Sequence, residues 1–405
     1  MKQKIKKYVL SKFHAIESQR CDVVEAIVEK GVRGFSELNY DDLKSGILDY
    51  VSSVRIAPYT YKFAVSCDKP CLYASVYAVM IEGLTGVLAQ RSKAELADWA
   101  NYLNGFQNPD DGIYYDSSLA GPAYEHIGVW NEGWGKHHLM GHIIIALARL
   151  GHKPKYQLRY LEKYYDTEYL TAWMNGFDFS DDVWTVSNYF MNLYTVMEYA
   201  RDYMGEVRAS KAVETMAKWL LERQNPETGI WHTQDFDTLD HLDKLKVVRA
   251  AYHFFPLFVY EKITLPYQAK IVDSILPLQN SWGGWTVEKG NSGACEDIDA
   301  VEPLIRFSGA RSERNNEISA AILRSLIWQL SCRNTDKGFS FYLRSGHEYG
   351  GHPLTSSLRD ESSMFATWFR TLCIAYEMQY LGLPNSFDIG VYPGYEICLH
   401  PFISI

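Results

Sequence analysis

The chain repeats a short motif that in its first copy reads Gln107-Asn-Pro-Asp-Asp-Gly112-Ile-Tyr114. Further copies read Gln224-Asn-Pro-Glu-Thr-Gly229-Ile-Trp231, Gln279-Asn-Ser-Trp-Gly-Gly284-Trp285 and, more weakly, Arg333-Asn-Thr-Asp-Lys-Gly338-Phe339. The last three copies begin about 55 residues apart, and the first interval is about twice as long, with a degenerate copy expected at Trp173-Met-Asn-Gly-Phe177. With one more unit before residue 107, six repeats account for most of the chain. We call this repeat the Gln-Asn motif.

Helical patterns flank the Gln-Asn motif. Polar-faced patterns precede it at 92–106, 210–223, 266–278 and 316–331, and more apolar patterns follow at 70–84, 136–150, 187–204, 242–260, 296–307 and 362–381. A hairpin of this kind cannot bury its own apolar face, so six in series are expected to close into a ring with the apolar helices inside. The sequence predicts an all-α fold, a single α/α toroid of six helical hairpins or (α/α)6 barrel over 1–405, with 1–50 as an N-terminal helical lead-in.

The Gln-Asn motif itself has the composition of a turn. Proline fixes φ, glycine accepts a positive φ, and the glutamine and aromatic residues can tie the loop to a neighbouring helix. We therefore interpret the motif as scaffold, the alternative being that Gln224 or Gln279 contacts a ligand. Because each motif joins an outer helix to the start of an inner helix, the six inner N-termini should gather at one mouth of the ring.

Composition excludes several classes of protein. The 405 residues are 47% hydrophobic and 22% charged, which is ordinary for a soluble chain with a large core and excludes intrinsic disorder. A net charge of −9 argues against a nucleic-acid partner. Seven scattered cysteines without a Cys-x-x-Cys pair favour a reducing, cytoplasmic setting. No apolar run is long enough to cross a bilayer. The basic N-terminal segment could make a peripheral membrane contact, the simpler alternative being a solvated helix.

The stretch from Gln279 to Trp285, followed by Cys295-Glu-Asp-Ile-Asp-Ala-Val301, resembles the terpenoid-cyclase and protein-prenyltransferase superfamily. Its members share an α/α toroid with Gln/Trp loops, and in the class II cyclase branch a Gly-Gly-Trp loop leads into an Asp-x-Asp-Asp motif that opens an inner helix. The resemblance implies that Asp299 is the general acid that protonates an alkene or epoxide. Asp297 would be the first aspartate of the motif, and Glu296 or Glu302 could compensate for the fourth position, which is Ala300 here.

The prenyltransferase branch would require zinc ligands at the same places. Its site uses an Asp-x-Cys at this helix start, where Asp297-Ile-Asp299 lacks the cysteine, and a later histidine that the stretch 363–368 lacks. We therefore predict no metal and no cofactor, with Mg²⁺ only if the substrate carries a diphosphate. His138 and His142 share a helix face, but without a third ligand we interpret them as packing or pocket residues.

Several further residues are candidates for substrate binding by their place in the repeats. Glu132, Trp134, His137 and His138 stand at the start of one inner helix, and Arg359 follows a Gly-rich loop where it could hold an anionic group. Aromatic candidates on inner helices are Tyr73, Trp184, Tyr189 and Trp368. Their rings could stabilise a carbocation or stack on a sugar, the simpler alternative for each being core packing.

Three functions remain open at this point, each with a small-molecule substrate or a partner. The first is a terpene-cyclase-like enzyme that cyclises an isoprenoid by protonation from Asp299. The second is a carbohydrate-active (α/α)6 glycosidase or lyase in which Asp299 or Glu132 works with a second carboxylate across the mouth. The third is a non-catalytic toroid that binds a ligand or partner. One buried acid in an aromatic cavity would favour the first, and two carboxylates across a polar groove the second.

Overall fold

The computed structural model describes residues 22–120, 134–180 and 182–399, and helices dominate it. Within these residues, twelve α-helices form six consecutive hairpins. The helices are α1 (Tyr40–Ser53), α2 (Leu72–Leu84), α3 (Lys93–Asn104), α4 (Trp134–Leu150), α5 (Thr167–Asn175), α6 (Val183–Met204), α7 (Arg208–Leu221), α8 (His241–Tyr252), α9 (Gln268–Ile275), α10 (Ala294–Arg306), α11 (Asn315–Ser331) and α12 (Met364–Tyr380).

Shorter elements connect the hairpins. Helical segments at Ile27–Val32 and Arg33–Ser36 precede α1, and Phe255–Tyr260 follows α8. Two antiparallel strand pairs are present in the described ranges, β1 (Arg55–Ala57) with β2 (Thr60–Tyr61) and β3 (His347–Glu348) with β4 (Ser356–Ser357). Turns of 3-10 helix lie at Leu88–Gln90, Ser117–Leu119, Arg159–Tyr165, Phe236–Thr238, Leu276–Leu278, Ser308–Arg314, Tyr349–Gly351 and Pro353–Thr355.

The even-numbered helices form the inner layer of a closed ring. In the described residues, α2 packs on α4, α4 on α6, α6 on α8, α8 on α10, α10 on α12, and α12 returns to α2. The odd-numbered helices lie outside this ring. The fold is therefore an all-α toroid, as predicted, and it consists of six hairpins whose inner helices are those identified from the sequence.

Burial follows the sequence pattern of each layer. Every residue of α2 is buried, and this helix is largely apolar on all sides, as an inner helix must be. The outer helix α7 instead buries a stripe that includes Ala209, Ala212, Val213, Met216 and Leu220 at helical spacing, while its other face is in solvent. The outer helix α7 thus packs against the protein with one face and is in contact with water on the other.

The Gln-Asn motif connects neighbouring hairpins through hydrogen bonds of its glutamine side chain. We call this connection the clamp. The Gln107 side-chain amide donates to the Gly112 carbonyl at 3.0 Å and to the Tyr156 carbonyl at 2.9 Å, and its oxygen accepts from the Tyr156 amide at 2.7 Å. The Gln279 amide likewise donates to Gly283 at 2.9 Å and to Ala321 of the next outer helix at 2.8 Å. These hydrogen bonds confirm the scaffold interpretation of the motif.

The aromatic residue of the motif holds the loop to its own outer helix. The Trp231 indole donates to the Leu220 carbonyl at 2.8 Å, and the Trp285 indole donates to the Ile275 carbonyl at 3.3 Å. In the weaker copy, Arg333 donates to the Asp42 carbonyl at 3.4 Å and so links the sixth hairpin to the first.

The two ends of the described chain meet the ring differently. The helical stretch before α1 packs against α11. The C-terminal segment 387–399 crosses the end of the ring where the inner helices finish, since the Asp388 amide donates to Leu84, the last residue of α2. Arg149 of α4 donates to the Ile389 carbonyl at 2.9 Å, and Arg306 of α10 donates to the Ile397 carbonyl at 2.9 Å.

Two other sequence predictions concern membrane association and domain organisation. No helix in the described ranges combines the length and apolar character that a membrane crossing requires. The basic segment for which a membrane contact was predicted, and with it the beginning of the 1–50 lead-in, lies outside the described residues. The single-domain organisation over 1–405 stays a prediction.

Gly112 offers a test of the clamp. Its φ is +82°, and an added Cβ would lie 2.2 Å from the Gln157 carbonyl oxygen. Gly112→Ala combines left-handed strain with this overlap, and we expect it to lower the free energy of unfolding by about 2–4 kcal/mol. Urea unfolding measures this loss. Gly151→Ala is the matched control, because Gly151 also has a positive φ (+69°) but nothing within 4 Å of the added Cβ. Equal losses for the two variants would contradict the clamp.

Candidate functional site

A cavity of about 800 Å³ opens where the inner helices begin. Residues of five inner helices contribute to its wall, so residues far apart in sequence converge there. The lining residues from these helices and the adjoining turns are His138, Asp182, Trp184, Thr185, Asn188, Tyr189, Lys246, Arg249, His253, Cys295, Glu296, Asp299, Phe365 and Phe369. Four inner helices, α4, α6, α10 and α12, reach the cavity with their first two turns, as predicted, whereas α8 contributes residues from its second turn to its end and α2 contributes none.

The wall of the cavity is largely aromatic. Rings come from inner helices and from the loop after α11, where Phe341 stacks on Phe365 at 5.9 Å between centroids and Tyr349 lies 4.5 Å from Phe365. The other aromatic lining residues are Trp184, Tyr189, Tyr342, Phe369 and Tyr395. A space bounded by π faces binds apolar groups and attracts positive charge.

Tyr395 forms the floor of the cavity. It belongs to the C-terminal segment, and its ring packs on Phe369 at 5.4 Å and stacks on His142 at 5.1 Å. The following residue, Glu396, is fully buried and accepts a hydrogen bond from the Trp368 indole at 2.8 Å, and it also forms an ion pair with Arg149. The segment is thus anchored by charge and by hydrogen bonds below the cavity.

The loop that carries β3 and β4 covers part of the mouth. Tyr349 and Gly350 of this loop line the cavity. The Tyr349 hydroxyl is 2.8 Å from Nε2 of His138, and the Tyr73 hydroxyl is 2.9 Å from Nδ1 of the same ring. Burial holds the pKa of His138 well below its usual range, so this histidine is neutral at physiological pH.

Asp299 is the acid of the cavity. It lies in the second turn of α10, its carboxyl group lines the cavity, and the residue is only 3% exposed. Burial raises the pKa of this carboxyl well above its usual range, and the nearby Glu296 adds to the increase, while the Arg249 guanidinium opposes it. A carboxyl group in this environment keeps its proton at a pH where an exposed aspartate has lost it.

Two ion pairs lie on the wall of the cavity. Arg249 of α8 lies 3.1 Å from Glu296, whose carboxylate also accepts from the Gly293 amide at 2.7 Å and so caps α10. Burial raises the pKa of Glu296 although Arg249 acts in the opposite direction. Lys246 of α8 lies 3.6 Å from Asp182, the residue that precedes α6. These groups give the cavity a charged edge around an apolar interior.

Asp297 does not line the cavity. Its carboxylate is fully buried between α10, α11 and α12, where it pairs with Arg370 at 3.1 Å and accepts from the Trp328 indole at 2.8 Å and from Ser292. Ala300, one turn after Asp297, is also buried and is absent from the cavity wall. The position that lacks the fourth aspartate therefore belongs to the helix packing and not to the cavity.

The other predicted binding residues divide into four groups. Trp184, Tyr189 and His138 line the cavity. Tyr73 and Trp368 are buried behind the wall, where they support His138 and Glu396, and the His137 ring packs 5.6 Å from Tyr160. Arg359 is an exposed residue paired with Asp22 at 2.8 Å, away from the cavity. Glu132 lies outside the described residues, as does the side chain of Trp134.

Sequence reasoning missed two important lining residues, His253 and Tyr395. His253 follows the last residue of α8, and Tyr395 lies beyond the last repeat. A weak signal for His253 existed, since it interrupts the apolar pattern assigned to 242–260. In the described ranges, no group of three His, Cys, Asp or Glu side chains is placed to hold a metal ion.

Comparisons with known proteins give only distant similarities. No protein-family model matches the chain, and no curated protein sequence matches it. Among solved structures, a protein from Actinoplanes is similar with a TM-score of 0.44 and 13% identity, over 85% of this chain and all of that one. A glycosyl hydrolase family 88 protein from Bacteroides vulgatus has a TM-score of 0.41 and 12% identity, over 84% of this chain and 99% of that one. The assignment of the toroid comes from the helix contacts described above.

The raised pKa of Asp299 predicts a pH-dependent effect on stability. As the pH rises above about 4, the unfolded chain releases a proton that folded Asp299 retains, and the fold loses about 1.4 kcal/mol per pH unit until the folded pKa is reached. An asparagine at position 299 does not titrate, so the variant does not lose stability in this way. We therefore expect the free energy of unfolding of Asp299→Asn to increase relative to that of the wild type as the pH is raised from 5 to 7. Urea unfolding at both pH values measures this difference.

Asp98→Asn is the control, because it removes a carboxylate from an exposed position on the outer helix α3. A difference between Asp299→Asn and the wild type that stays constant with pH would show that Asp299 is ionised in the folded protein.

Proposed function

We propose that this chain is a terpene-cyclase-like enzyme that cyclises an isoprenoid, with Asp299 as the acid that starts the reaction. The observation that carries the proposal is the 3% exposed carboxyl residue Asp299 on the wall of an aromatic cavity, where burial raises its pKa well above the usual range. Among the described residues, no side-chain hydrogen bond ties the Asp299 carboxyl to a protein partner. A carboxylic acid in this state can donate its proton to a substrate that fills the cavity.

The surroundings of Asp299 suit the transfer of a proton to carbon. An alkene becomes a carbocation when it is protonated, and the cation needs stabilisation that does not itself react with it. Aromatic faces provide this, at about 0.5–2 kcal/mol for each ring. Because water is displaced from an apolar cavity by an apolar substrate, the electrostatic attraction is not screened by solvent.

The shape of the cavity supports an apolar substrate of intermediate size. Its volume of about 800 Å³ lies in the range of small-molecule sites, and its lining is rich in aromatic residues. Tyr395 closes the lower end, so a flexible chain would have to fold back on itself to fit. A folded conformation is the geometry that cyclisation requires, because it brings the reacting carbons together.

The arrangement of carboxylates is less suited to a glycosidase. Such enzymes place two carboxyl groups on opposite sides of the scissile bond, about 5–10 Å apart. Glu296 and Asp299 are three residues apart on α10 and therefore lie on the same side of the cavity. Asp182, the third acid on the wall, caps α6 and pairs with Lys246.

A function in ligand binding without catalysis is also less well supported. A buried acid with a raised pKa lowers stability without any benefit to binding an apolar ligand.

The test is the turnover of linear isoprenoids. Purified protein is incubated with geranylgeranyl diphosphate, its alcohol and squalene, and products are identified by gas chromatography and mass spectrometry. We expect a cyclic product from at least one of them, and we expect Asp299→Asn to lower its rate of formation by about 10²–10⁴-fold. In D₂O the product should gain one deuterium.

The exposed Asp98→Asn is again the control and should retain the wild-type rate. Activity should be highest at low pH and fall as the pH rises through the folded pKa of Asp299, because only the protonated form can donate. Turnover that survives in Asp299→Asn, or no consumption of any of the three substrates by the wild type, would contradict the proposal.

A further inference from the structure

We propose that His253 is the proton acceptor that ends the reaction, taking a proton from carbon at its Nε2 atom. The inference rests on the proposed function and adds the second half of the proton balance. If it holds, the product is an alkene that is isomeric with the substrate and not an alcohol formed with water.

His253 faces the same cavity as Asp299 from the neighbouring inner helix. It follows α8, which packs on α10, and its ring lines the cavity with its centroid 6.2 Å from that of Trp184. Its backbone carbonyl accepts from the Tyr194 hydroxyl at 2.8 Å, which holds the end of α8 in place. A donor and an acceptor therefore stand on adjacent parts of one wall.

The hydrogen bonds of Ser187 determine the tautomer of His253. The Ser187 hydroxyl is 2.7 Å from the Trp184 carbonyl oxygen and 2.8 Å from Nδ1 of His253. A carbonyl oxygen can only accept, so both contacts are hydrogen bonds only when the single hydroxyl proton points to Trp184. The hydroxyl oxygen then accepts from Nδ1–H of His253, and the unprotonated nitrogen is Nε2.

The charge state of His253 agrees with this role. Burial lowers the pKa of His253 to about 3, so the ring is neutral at physiological pH and Nε2 keeps its lone pair. A weak base is sufficient here, because a C–H bond next to a carbocation is a very strong acid. The same weakness lets the imidazolium release its proton quickly after the product leaves.

The other basic groups of the wall are less available. Lys246 and Arg249 are cations engaged with Asp182 and Glu296. Both ring nitrogens of His138 lie within hydrogen-bond distance of tyrosine hydroxyls. His347 also lines the cavity, but its Nε2 atom is buried by protein atoms, and its ring stacks on Phe341 at 3.7 Å. His253 is the group whose accepting atom and location both fit.

The step balances without an oxidant or reductant. The proton of the Asp299 carboxyl group passes to an alkene carbon, and the resulting cation is attacked by the π electrons of another double bond, which closes a ring. The C–H bond beside the last cationic carbon then breaks. Its electron pair becomes a new C=C bond, and the proton goes to Nε2 of His253. When the product leaves, solvent returns a proton to Asp299 and removes one from His253.

The decisive variant is His253→Phe, which keeps a flat ring and removes the base. We expect substrate to be consumed still, while the wild-type alkene falls relative to alcohols or other alkene isomers by about 10²-fold. Ser187→Ala removes the partner of Nδ1–H and should shift the product ratio in the same direction by less, as a positioning residue would. The control is His241→Gln at the exposed start of α8, which should give the wild-type product.

The outcomes separate this inference from the proposed function. If Asp299→Asn is inactive and His253→Phe forms the wild-type alkene in the same proportion, the inference is wrong and the proposed function stands. If the wild type consumes no isoprenoid, both fall together. Circular dichroism and thermal unfolding check each variant, and if His253→Phe does not fold, the product ratios of His253→Asn and Ser187→Ala decide in its place.

Discussion

The structure depends on the need to bury its inner helices, of which α2 is buried along its whole length. No single hairpin can cover such a helix, and the shared solution is a ring in which α12 packs back on α2. Once the ring is closed, the connection from each outer helix to each inner helix must lie at the same end. The glutamine clamps at Gln107 and Gln279 hold these connections to the next hairpin. A cavity bounded by inner N-termini follows from this arrangement.

The helical period explains which residues of the Glu-Asp-Ile-Asp stretch reach the cavity. Asp297 and Asp299 are two residues apart, about 200° around a helix, so they cannot share a face, whereas Glu296 and Asp299 can. The structure follows this rule, with Glu296 and Asp299 on the wall and Asp297 beside Arg370. The repeat likewise allowed the six hairpins to be predicted from the sequence, since both inferences rest on local periodicity.

Contacts between residues that are distant in the sequence, in contrast, leave no periodic pattern in that sequence. Tyr395 reaches the cavity only because the C-terminal segment binds to the ends of α2, α4 and α10, and that segment has no repeat of its own. His253 reaches the wall because α8 ends after Tyr252, well before the apolar pattern does. Tyr73 and Trp368 are on the inner helices predicted for them, but they do not line the cavity and instead contact the lining residues His138 and Tyr395.

Asp297 and Asp299 show how one helix can hold two buried carboxyl groups in opposite roles. Asp297 meets a guanidinium and an indole donor, so its charge is compensated and it joins α10 to α11 and α12. Within the described part of the chain Asp299 has no such partner, and its burial in the cavity wall favours its protonated form. The two environments are connected, because the contacts of Asp297 fix the rotation of α10 and so decide where Asp299 points. A substitution at Arg370 would therefore act on the cavity through the orientation of α10, without any contact between Arg370 and a bound molecule.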